Sequence, residues 1–186
     1  MITGAMDPPV DVARESDLEA DALRATVVSM QADRGAELWG LARHLNLEPA
    51  EADDAVQETL LRLWSALRGG QAIERPDAWA FRTLYRLAMD KHRFQRRLRA
   101  LAERIGAQPP RSSPYDQADR MAVWQAVEAL PERQRLAVYL RYRADLPFEE
   151  IGRILGIAPP SARSHVSRAL DALRAQLGEE TPDEQR

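Results

Sequence analysis

The sequence predicts an all-α protein in which two small helical domains are joined by a flexible linker. Strong helix formers (Ala, Leu, Arg and Glu) dominate the composition, and only 9 of the 186 residues are glycine. Apolar residues recur at helical spacing, and the alternation typical of a β-strand persists nowhere. Residues 106–115 contain three prolines and two serines, which do not continue a helix, and they predict the linker.

The two ends of the chain and the linker are expected to lie outside the folded domains. Residues 1–17 are acidic and contain prolines, so we expect them to be disordered, and residues 1–6 resemble the remnant of an expression tag. The linker is predicted over residues 103–117. Residues 179–186 are predicted to form an acidic tail.

The first domain is predicted over residues 18–102 and contains three helices. In the first helix, four apolar residues share one face: Leu38, Leu41, Ala42 and Leu45. Pro49 suits the first turn of a second helix over residues 50–67, which two glycines then end. A third helix is predicted over residues 77–101.

The second domain is predicted over residues 118–178 and contains four shorter helices. Pro131, the stretch 143–147 and the stretch 156–159 separate them. The predicted segments are 117–129, 132–143, 148–155 and 160–177.

Charge is distributed unevenly along the chain, although the net charge is only −3. Residues 1–60 carry 13 acidic residues and four arginines, whereas residues 82–104 carry eight basic and two acidic residues. A dense basic block of this kind is typical of proteins that bind polyanions. A solvated helix face is the alternative interpretation.

Several classes of function find no support in the sequence. The chain has no cysteine and only three scattered histidines, and it has no glycine-rich phosphate loop, so we expect no enzyme, no cofactor and no metal site. No apolar run approaches the roughly 18 residues needed to span a membrane, and no signal peptide is visible. We therefore expect no membrane insertion and a cytoplasmic location.

Residues 148–174 have the form of a helix-turn-helix. A short helix with an apolar face is followed by Gly156, which can adopt the positive φ of a tight turn, and then by a longer helix. Hydroxyl and arginine side chains near the start of such a helix suit contacts with bases and phosphates. An ordinary helical hairpin is the alternative. The predicted DNA-binding residues of this helix are Ser161, Arg163, Ser164, His165 and Arg168.

The second helix carries a polar stripe beside its apolar face. The stripe consists of residues at positions i, i+3, i+4 and i+7: Asp54, Gln57, Glu58 and Leu61. Two acids, an amide and a leucine suit docking onto a basic partner helix. A solvated face without a partner is the alternative.

The third helix carries a basic stripe with aromatic rings beside it. The basic stripe consists of residues at spacings of three or four: Arg82, Arg86, Met89, Arg93, Arg96 and Arg97. Basic charge interleaved with flat rings is typical of proteins that follow a nucleic-acid backbone and stack on unpaired bases. An amphipathic helix whose aromatics belong to the core is the alternative, and we assign Trp79 and Phe81 to the core. The candidate DNA-binding residues are Arg82, Tyr85, Arg86, His92, Arg93, Arg96 and Arg97.

Together these segments resemble a bacterial RNA polymerase sigma factor of the extracytoplasmic-function (ECF) type, within the sigma-70 superfamily. Residues 48–64 resemble region 2.2, and residues 79–97 resemble regions 2.3 and 2.4. Residues 129–174 resemble region 4, with the helix-turn-helix at its end. Two distinct motifs in this order, with a short stretch between them, indicate the small ECF type.

The resemblance implies a role in transcription initiation and assigns roles to the candidate residues. Region 2.2 is implied to dock on the β′ clamp helices of core RNA polymerase. The β flap of the polymerase is implied as a further contact of the chain. Regions 2.3 and 2.4 are implied to melt and recognise the minus-ten element, and a loop with Arg68 and Gln71 to capture a flipped-out base. Region 4 is implied to recognise the minus-thirty-five element. The family also admits an anti-sigma factor as a partner, and implies association with the nucleoid.

Some positions depart from the family pattern. Arg86 stands where an Asn is frequent, His165 stands where Arg is usual, and Pro147 replaces a Ser that would cap the helix, a loss of about 1 kcal/mol. A stand-alone dimeric helix-turn-helix regulator remains the alternative function. The polar stripe on a separate domain disfavours that alternative.

Overall fold

The computed structural model describes residues 10–104 and 122–179, and all the regular structure in these two ranges is helical. The all-α prediction with two helical domains is confirmed. Most of the predicted linker and of the acidic tail lies outside the described residues. The helices are α1 (Val10–His44), α2 (Pro49–Arg68), α3 (Pro76–Arg104), α4 (Ala122–Ala129), α5 (Glu132–Val138), α6 (Phe148–Leu155) and α7 (Pro159–Glu179), with a π-helical segment (Tyr139–Arg143) between α5 and α6.

The first helical unit consists of α1, α2 and α3, which pack against one another. The apolar face predicted for α1 is fully buried, as expected for a helix stripe at this spacing. Phe81 of α3, which was assigned to the core, has no exposed surface. The unit's other large buried side chains include Leu38, Leu41, Leu45, Leu63 and Leu84.

The ends of α2 follow the signals in the sequence. Pro49 is its first residue, and the carboxylate of Glu51 accepts a hydrogen bond of 3.0 Å from the Glu48 amide, which satisfies one backbone donor at the helix start. Gly69 follows the last residue of α2, and Gly70 has a positive φ of 78°. These boundaries place the loop of residues 69–75 between α2 and α3.

The start of α1 differs from the prediction. Residues 10–17 are helical rather than disordered. No proline lies between Val10 and His44 to end the helix, and the segment is rich in Ala, Glu and Leu. Acidic charge alone does not prevent a helix from extending toward its N-terminus, where the helix dipole favours negative charge.

The second helical unit consists of α4 to α7, and it contains the predicted helix-turn-helix. Gly156 has φ 66°, the left-handed conformation expected at the end of α6, and α7 begins at Pro159. A β-carbon on Gly152 would lie 2.7 Å from the carbonyl oxygen of Ile157, so a side chain there would prevent the turn from packing on α6. Sequence reasoning did not identify this requirement at Gly152.

The helix predicted over residues 132–143 is interrupted. Its second half is π-helical, and the Ala144 amide donates to the carbonyl oxygen of Tyr139 at 3.1 Å, a pairing five residues apart. The wider turn carries Tyr139 and Leu140, both of which are buried. The predicted single helix is therefore α5 followed by a π-helical turn.

The two helical units contact each other, which no local sequence pattern predicted. The α3 helix meets α6, and α1 meets both α5 and the π-helical segment. Buried apolar residues of both units form one continuous cluster. Among the described helices, none is both long and apolar enough to cross a bilayer.

Candidate functional site

The polar stripe of α2 forms an exposed surface of the first unit. Asp54 and Gln57 are exposed, and 61% of the Leu61 surface is accessible. Glu58 is half-buried and accepts a hydrogen bond of 2.7 Å from Arg62 one turn later. The structure thus brings all four predicted stripe residues to one accessible face, which we call the α2 face.

Grooves border the α2 face on both sides. The groove against α1 is lined by residues that include Trp39, Asp53 and Gln57, and the groove against α3 by residues that include Asp54 and Leu87. In the second groove Lys91 pairs with Glu51 at 2.9 Å. Burial alone would raise the pKa of Glu51, but its bonds to the Lys91 ammonium and the Glu48 amide outweigh burial and lower it.

The basic stripe of α3 is exposed over its C-terminal half. Arg86, Arg93, Arg96 and Arg97 all lie on the surface, and Arg93 pairs with Asp90 one turn earlier. Within the described ranges, no ion pair holds Arg86, Arg96 or Arg97. Exposed guanidinium groups that no carboxylate pairs with are accessible to a polyanion.

The N-terminal half of the same stripe is partly covered by the second unit. Arg82 donates a hydrogen bond of 3.2 Å to the carboxylate of Glu150 in α6, and only 29% of its side chain is exposed. Tyr85 is half-buried, and burial raises the pKa of its hydroxyl, with Arg133 of α5 lowering it and Glu132 raising it. Two of the predicted minus-ten residues therefore face the second unit.

His92 lies beside the stripe and is half-buried. Its Nε2 atom is 2.6 Å from the carbonyl oxygen of Leu45, just beyond the end of α1. This contact ties α3 to the loop after α1, and the ring nitrogen that makes it faces the protein rather than solvent.

A cavity of about 340 Å³ opens between α2 and α3. Of the two residues predicted for the loop that captures a flipped-out base, Gln71 lies in the loop of residues 69–75, whereas Arg68 is the last residue of α2; both are exposed. Trp79, for which the sequence predicts a core position, is half-buried: it packs against the hydrophobic core and also lines this cavity. Sequence reasoning missed Arg62 and Ser65, because they lie outside both predicted stripes. The lining residues are Arg62, Ser65, Trp79, Thr83 and Arg86.

The start of α7 presents the predicted helix-turn-helix contacts. Ser161, Arg163, Ser164 and Arg168 are exposed. The Ser164 hydroxyl donates to the Pro160 carbonyl oxygen at 3.0 Å, and the Arg163 guanidinium lies 5.2 Å from the centre of the Phe148 ring. His165 is half-buried, and its Nδ1 atom is buried without a hydrogen-bond partner in the described part of the chain.

Comparison with known proteins connects these surfaces to a family. The family model of Sigma-70 region 2 matches residues 33–105, and that of Sigma-70 region 4 matches residues 120–173. The RNA polymerase sigma factor CarQ of Myxococcus xanthus is 32% identical over 133 residues, which cover 70% of this chain and 76% of CarQ. The chain belongs to the ECF family of RNA polymerase sigma factors.

Other ECF sigma factors match over a larger share of the chain. SigL of Mycobacterium tuberculosis is 29% identical over 165 residues, which cover 86% of this chain and 93% of SigL. Among solved structures, the sigma factor RpoE in complex with the anti-sigma factor NepR from Bartonella quintana superposes with a TM-score of 0.55 and 24% identity, covering 92% and 99% of the two chains. CnrH in complex with the cytosolic domain of CnrY gives the same TM-score at 22% identity, covering 89% and 96%. These two likenesses extend the shared fold to both helical units.

Membership in the family gives the α2 and α3 surfaces a biological setting. A sigma factor acts in transcription initiation, and its partners are core RNA polymerase and promoter DNA. The region 2 match contains the α2 face, the cavity and the whole basic stripe. The region 4 match contains the helix-turn-helix up to residue 173.

Proposed function

We propose that this sigma factor docks on core RNA polymerase through the α2 face. We further propose that it directs the polymerase to promoters by contacting two promoter elements, the minus-ten and the minus-thirty-five element. In this proposal α3 and its adjoining loop recognise and melt the minus-ten element, and α7 recognises the minus-thirty-five element. The observation that carries the proposal is that an exposed acidic-amide face and an exposed basic stripe lie on neighbouring helices of one unit. In this proposal the sigma factor acts in the cytoplasm, where it and its polymerase are associated with the nucleoid.

Docking on polymerase is supported by the chemistry of the α2 face. Asp54 and Gln57 offer a carboxylate and an amide to basic and polar groups of a partner helix, such as the β′ clamp helices. Leu61 adds exposed apolar surface, which gains free energy when a partner covers it. The grooves on either side of the face can admit side chains of that partner. The β flap is the expected contact of the second unit.

Minus-ten recognition is supported by the exposed arginines and by the cavity. Arg93, Arg96 and Arg97 can follow the phosphate backbone, while Arg68 at the end of α2 and Gln71 in the loop after it are exposed and available to an unpaired base. The Trp79 ring can stack on an unstacked base, and the hydroxyls of Ser65 and Thr83, which line the cavity, can form hydrogen bonds with that base. Unstacking costs a few kcal/mol, and such contacts offset that cost. In this proposal the minus-ten element is melted and recognised by binding alone, and no covalent step is needed.

Minus-thirty-five recognition is supported by the residues that begin α7. The first turns of a recognition helix meet base edges in the major groove, and arginine pairs best with guanine there. Ser161, Arg163, Ser164 and Arg168 are accessible for such contacts. His165, where Arg is usual in the family, offers a shorter and weaker donor.

Binding of purified chain to core polymerase tests the docking step. We expect the parent chain to bind, and Asp54→Ala and Gln57→Ala to weaken binding, whereas Asp21→Ala leaves it unchanged. Asp21 is a matched control, since it is also an exposed helical aspartate but lies outside the region 2 match. If the parent chain fails to bind core polymerase, or if Asp54→Ala and Gln57→Ala bind as well as the parent, the docking proposal is wrong. A chain that binds duplex operators as a dimer without polymerase would favour the stand-alone regulator instead.

A further inference from the structure

One aromatic ring joins three segments of the second unit. Phe148 is the first residue of α6, and the central guanidinium carbon of Arg163 in α7 lies over its ring, 5.2 Å from the ring centre. The corresponding carbon of Arg141, in the π-helical segment, lies 5.4 Å from the same centre. The ring is half-buried and packs against the hydrophobic core, which fixes its own position. Two cations from different segments therefore share one anchored ring.

The two arginines on this ring differ in what else they bind. Arg141 donates to the carbonyl oxygen of Leu146 at 3.2 Å and pairs with the Asp145 carboxylate at 3.7 Å, so its donors hold the turn before α6. Arg163 is exposed, and no hydrogen bond or ion pair within the described ranges holds its guanidinium. In this part of the chain, the Phe148 ring is the contact that restrains the charged end of Arg163.

A ring restrains a guanidinium in a different way from a carboxylate. The face of the ring attracts the cation through its π electrons and leaves the N–H groups of the guanidinium free. A carboxylate takes up those donors, as Glu150 does for Arg153 within α6. Donors that are ordered but free suit two parallel hydrogen bonds to the O6 and N7 atoms of guanine in the major groove.

Order before binding also lowers the entropic cost of binding. A free arginine side chain samples many rotamers, and it loses this freedom when it binds a base. An arginine that already rests on a ring has lost part of that freedom in the folded chain. The contact with Phe148 is therefore expected to raise DNA affinity without a DNA contact of its own.

We infer that Phe148 is a positioning residue for minus-thirty-five recognition, which holds the Arg163 guanidinium ready for a guanine base. The inference rests on the proposed DNA contact of Arg163. It adds a residue of α6 to a set of predicted contacts that all lie on α7. Phe148 acts through Arg163 and touches no base in this role.

The expected effect of the ring is smaller than that of the arginine. A cation–π contact at an exposed site corresponds to a roughly two- to fivefold change in affinity. A bidentate contact between arginine and guanine corresponds to a roughly five- to hundredfold change. Loss of the Arg163 side chain should therefore weaken DNA binding more than loss of the Phe148 ring.

A selected duplex supplies the DNA probe. The immobilised full chain is offered, at low salt, a duplex library that contains a randomised segment, and the bound DNA is sequenced. We expect the parent chain to enrich a segment with a guanine whose enrichment disappears in Arg163→Ala. Arg174→Ala is the matched control, since Arg174 is an exposed arginine further along α7 and lies outside the region 4 match. The control should leave the enrichment unchanged.

Substitutions at Phe148 separate the ring from its bulk. Fluorescence anisotropy with the selected duplex should show a roughly two- to fivefold loss of affinity for Phe148→Leu, with a weaker preference for that guanine. Phe148→Tyr keeps an aromatic face and should restore both.

Fluorinated phenylalanines at position 148 test the ring without changing its shape, and they keep the test available if Phe148→Leu does not fold. Fluorine withdraws electron density from the ring face, so DNA affinity should fall as fluorine atoms are added. Urea denaturation should give midpoints close to that of the parent. A ring that acted only through packing would support equal DNA affinity at every degree of fluorination.

A double-mutant cycle decides whether the ring acts through Arg163. In the Arg163→Ala chain, Phe148→Leu should cause little further loss, because the side chain that it positions is already gone. An equal further loss there, or unchanged affinity in Phe148→Leu and in the fluorinated chains, would overturn the inference and leave the Arg163 contact standing.

Failure of the proposed base contact gives a different result. If the parent chain enriched no sequence, or if Arg163→Ala bound the selected duplex as tightly as the parent, the proposed contact of Arg163 would be wrong and the inference would fall with it. No step of this test uses polymerase, so the outcome is independent of the docking proposal.

Discussion

The α2 face and the basic stripe of α3 belong to one helical unit but differ in how the second unit treats them. Asp54, Gln57 and Leu61 are exposed, and among the described residues no hydrogen bond or ion pair joins them to the second unit. On α3, by contrast, Arg82 is paired with Glu150 of α6, while Arg96 and Arg97 remain accessible. One helical unit therefore leaves its proposed polymerase-docking surface open while a residue of the second unit occupies one arginine of its proposed DNA-binding surface.

The largest expected effect concerns the core on which both surfaces depend. Phe81→Ala should destabilise the protein by about 3–5 kcal/mol, because the ring is fully buried and its loss leaves a cavity. Phe94→Ala in the same helix should change stability by less than about 0.5 kcal/mol, since 59% of Phe94 is exposed. Urea denaturation measures both. Equal losses for the two variants would show that the burial pattern of α3 is wrong.

The next largest effect tests whether the α2 face and the basic stripe of α3 act independently. Asp54→Arg should weaken binding to core polymerase by roughly thirtyfold, or about 2 kcal/mol, because it reverses the charge of one of the two acidic residues of the α2 face. The same variant should bind DNA without loss. Binding assays with immobilised polymerase and with labelled DNA give the two numbers. A parallel loss of both affinities would mean that the two surfaces are not independent.

A smaller effect tests the accessible half of the basic stripe. Replacing Arg96 and Arg97 together by alanine should lower the slope of log affinity against log salt by up to about 2, because two phosphate contacts are lost. Arg24→Ala is the control, since Arg24 is exposed on α1 outside the region 2 match. Titrations of DNA binding at several salt concentrations measure the slope. A slope that stays at the parent value would remove these arginines from the DNA-binding surface.

The smallest effect is a pH dependence at the start of α3. Burial alone would raise the pKa of Asp77, but hydrogen bonds from Arg75 at 2.8 Å and from the Ala78 amide outweigh it and lower the pKa from its ordinary 3.8. A lowered pKa in the folded state gives stability that is present above the ordinary pKa and is lost as pH falls through the lowered one.

Asp77→Asn should therefore cost under about 1 kcal/mol at pH 7, and the difference from the parent should shrink as the pH falls below about 4. Urea denaturation at both pH values measures this difference. Asp53→Asn, at an exposed position of α2, is the control and should show a smaller cost at neutral pH. If the stability difference between Asp77→Asn and the parent grew as the pH fell, the lowered pKa of Asp77 would be contradicted.

Much of the fold was predictable because its signals are local. Pro49, the Gly69-Gly70 pair and Gly156 end or begin helices through their own backbone preferences, and the structure follows each of them. The buried stripe of α1 follows from its spacing alone. The family assignment was predictable for the same reason, because its two motifs each lie within one continuous stretch of sequence.

What the sequence did not reveal depends on contacts between distant residues. Arg82 and Glu150 are 68 positions apart, and Tyr139 and Glu37 are 102 apart. Nothing near Arg82 distinguishes it from Arg86, although the first is paired and the second is exposed. The early start of α1 has a different cause, because the helix propensity of residues 10–17 outweighs the disordering effect of their acidic charge.

Run-off transcription with core RNA polymerase on a library of genomic promoters tests the central claim most directly. We expect discrete start sites that require this chain, that are used less with Asp54→Ala, and that share sequence at both minus elements. Core polymerase that initiates no more specifically with the chain than without it would show that the chain does not direct promoter selection.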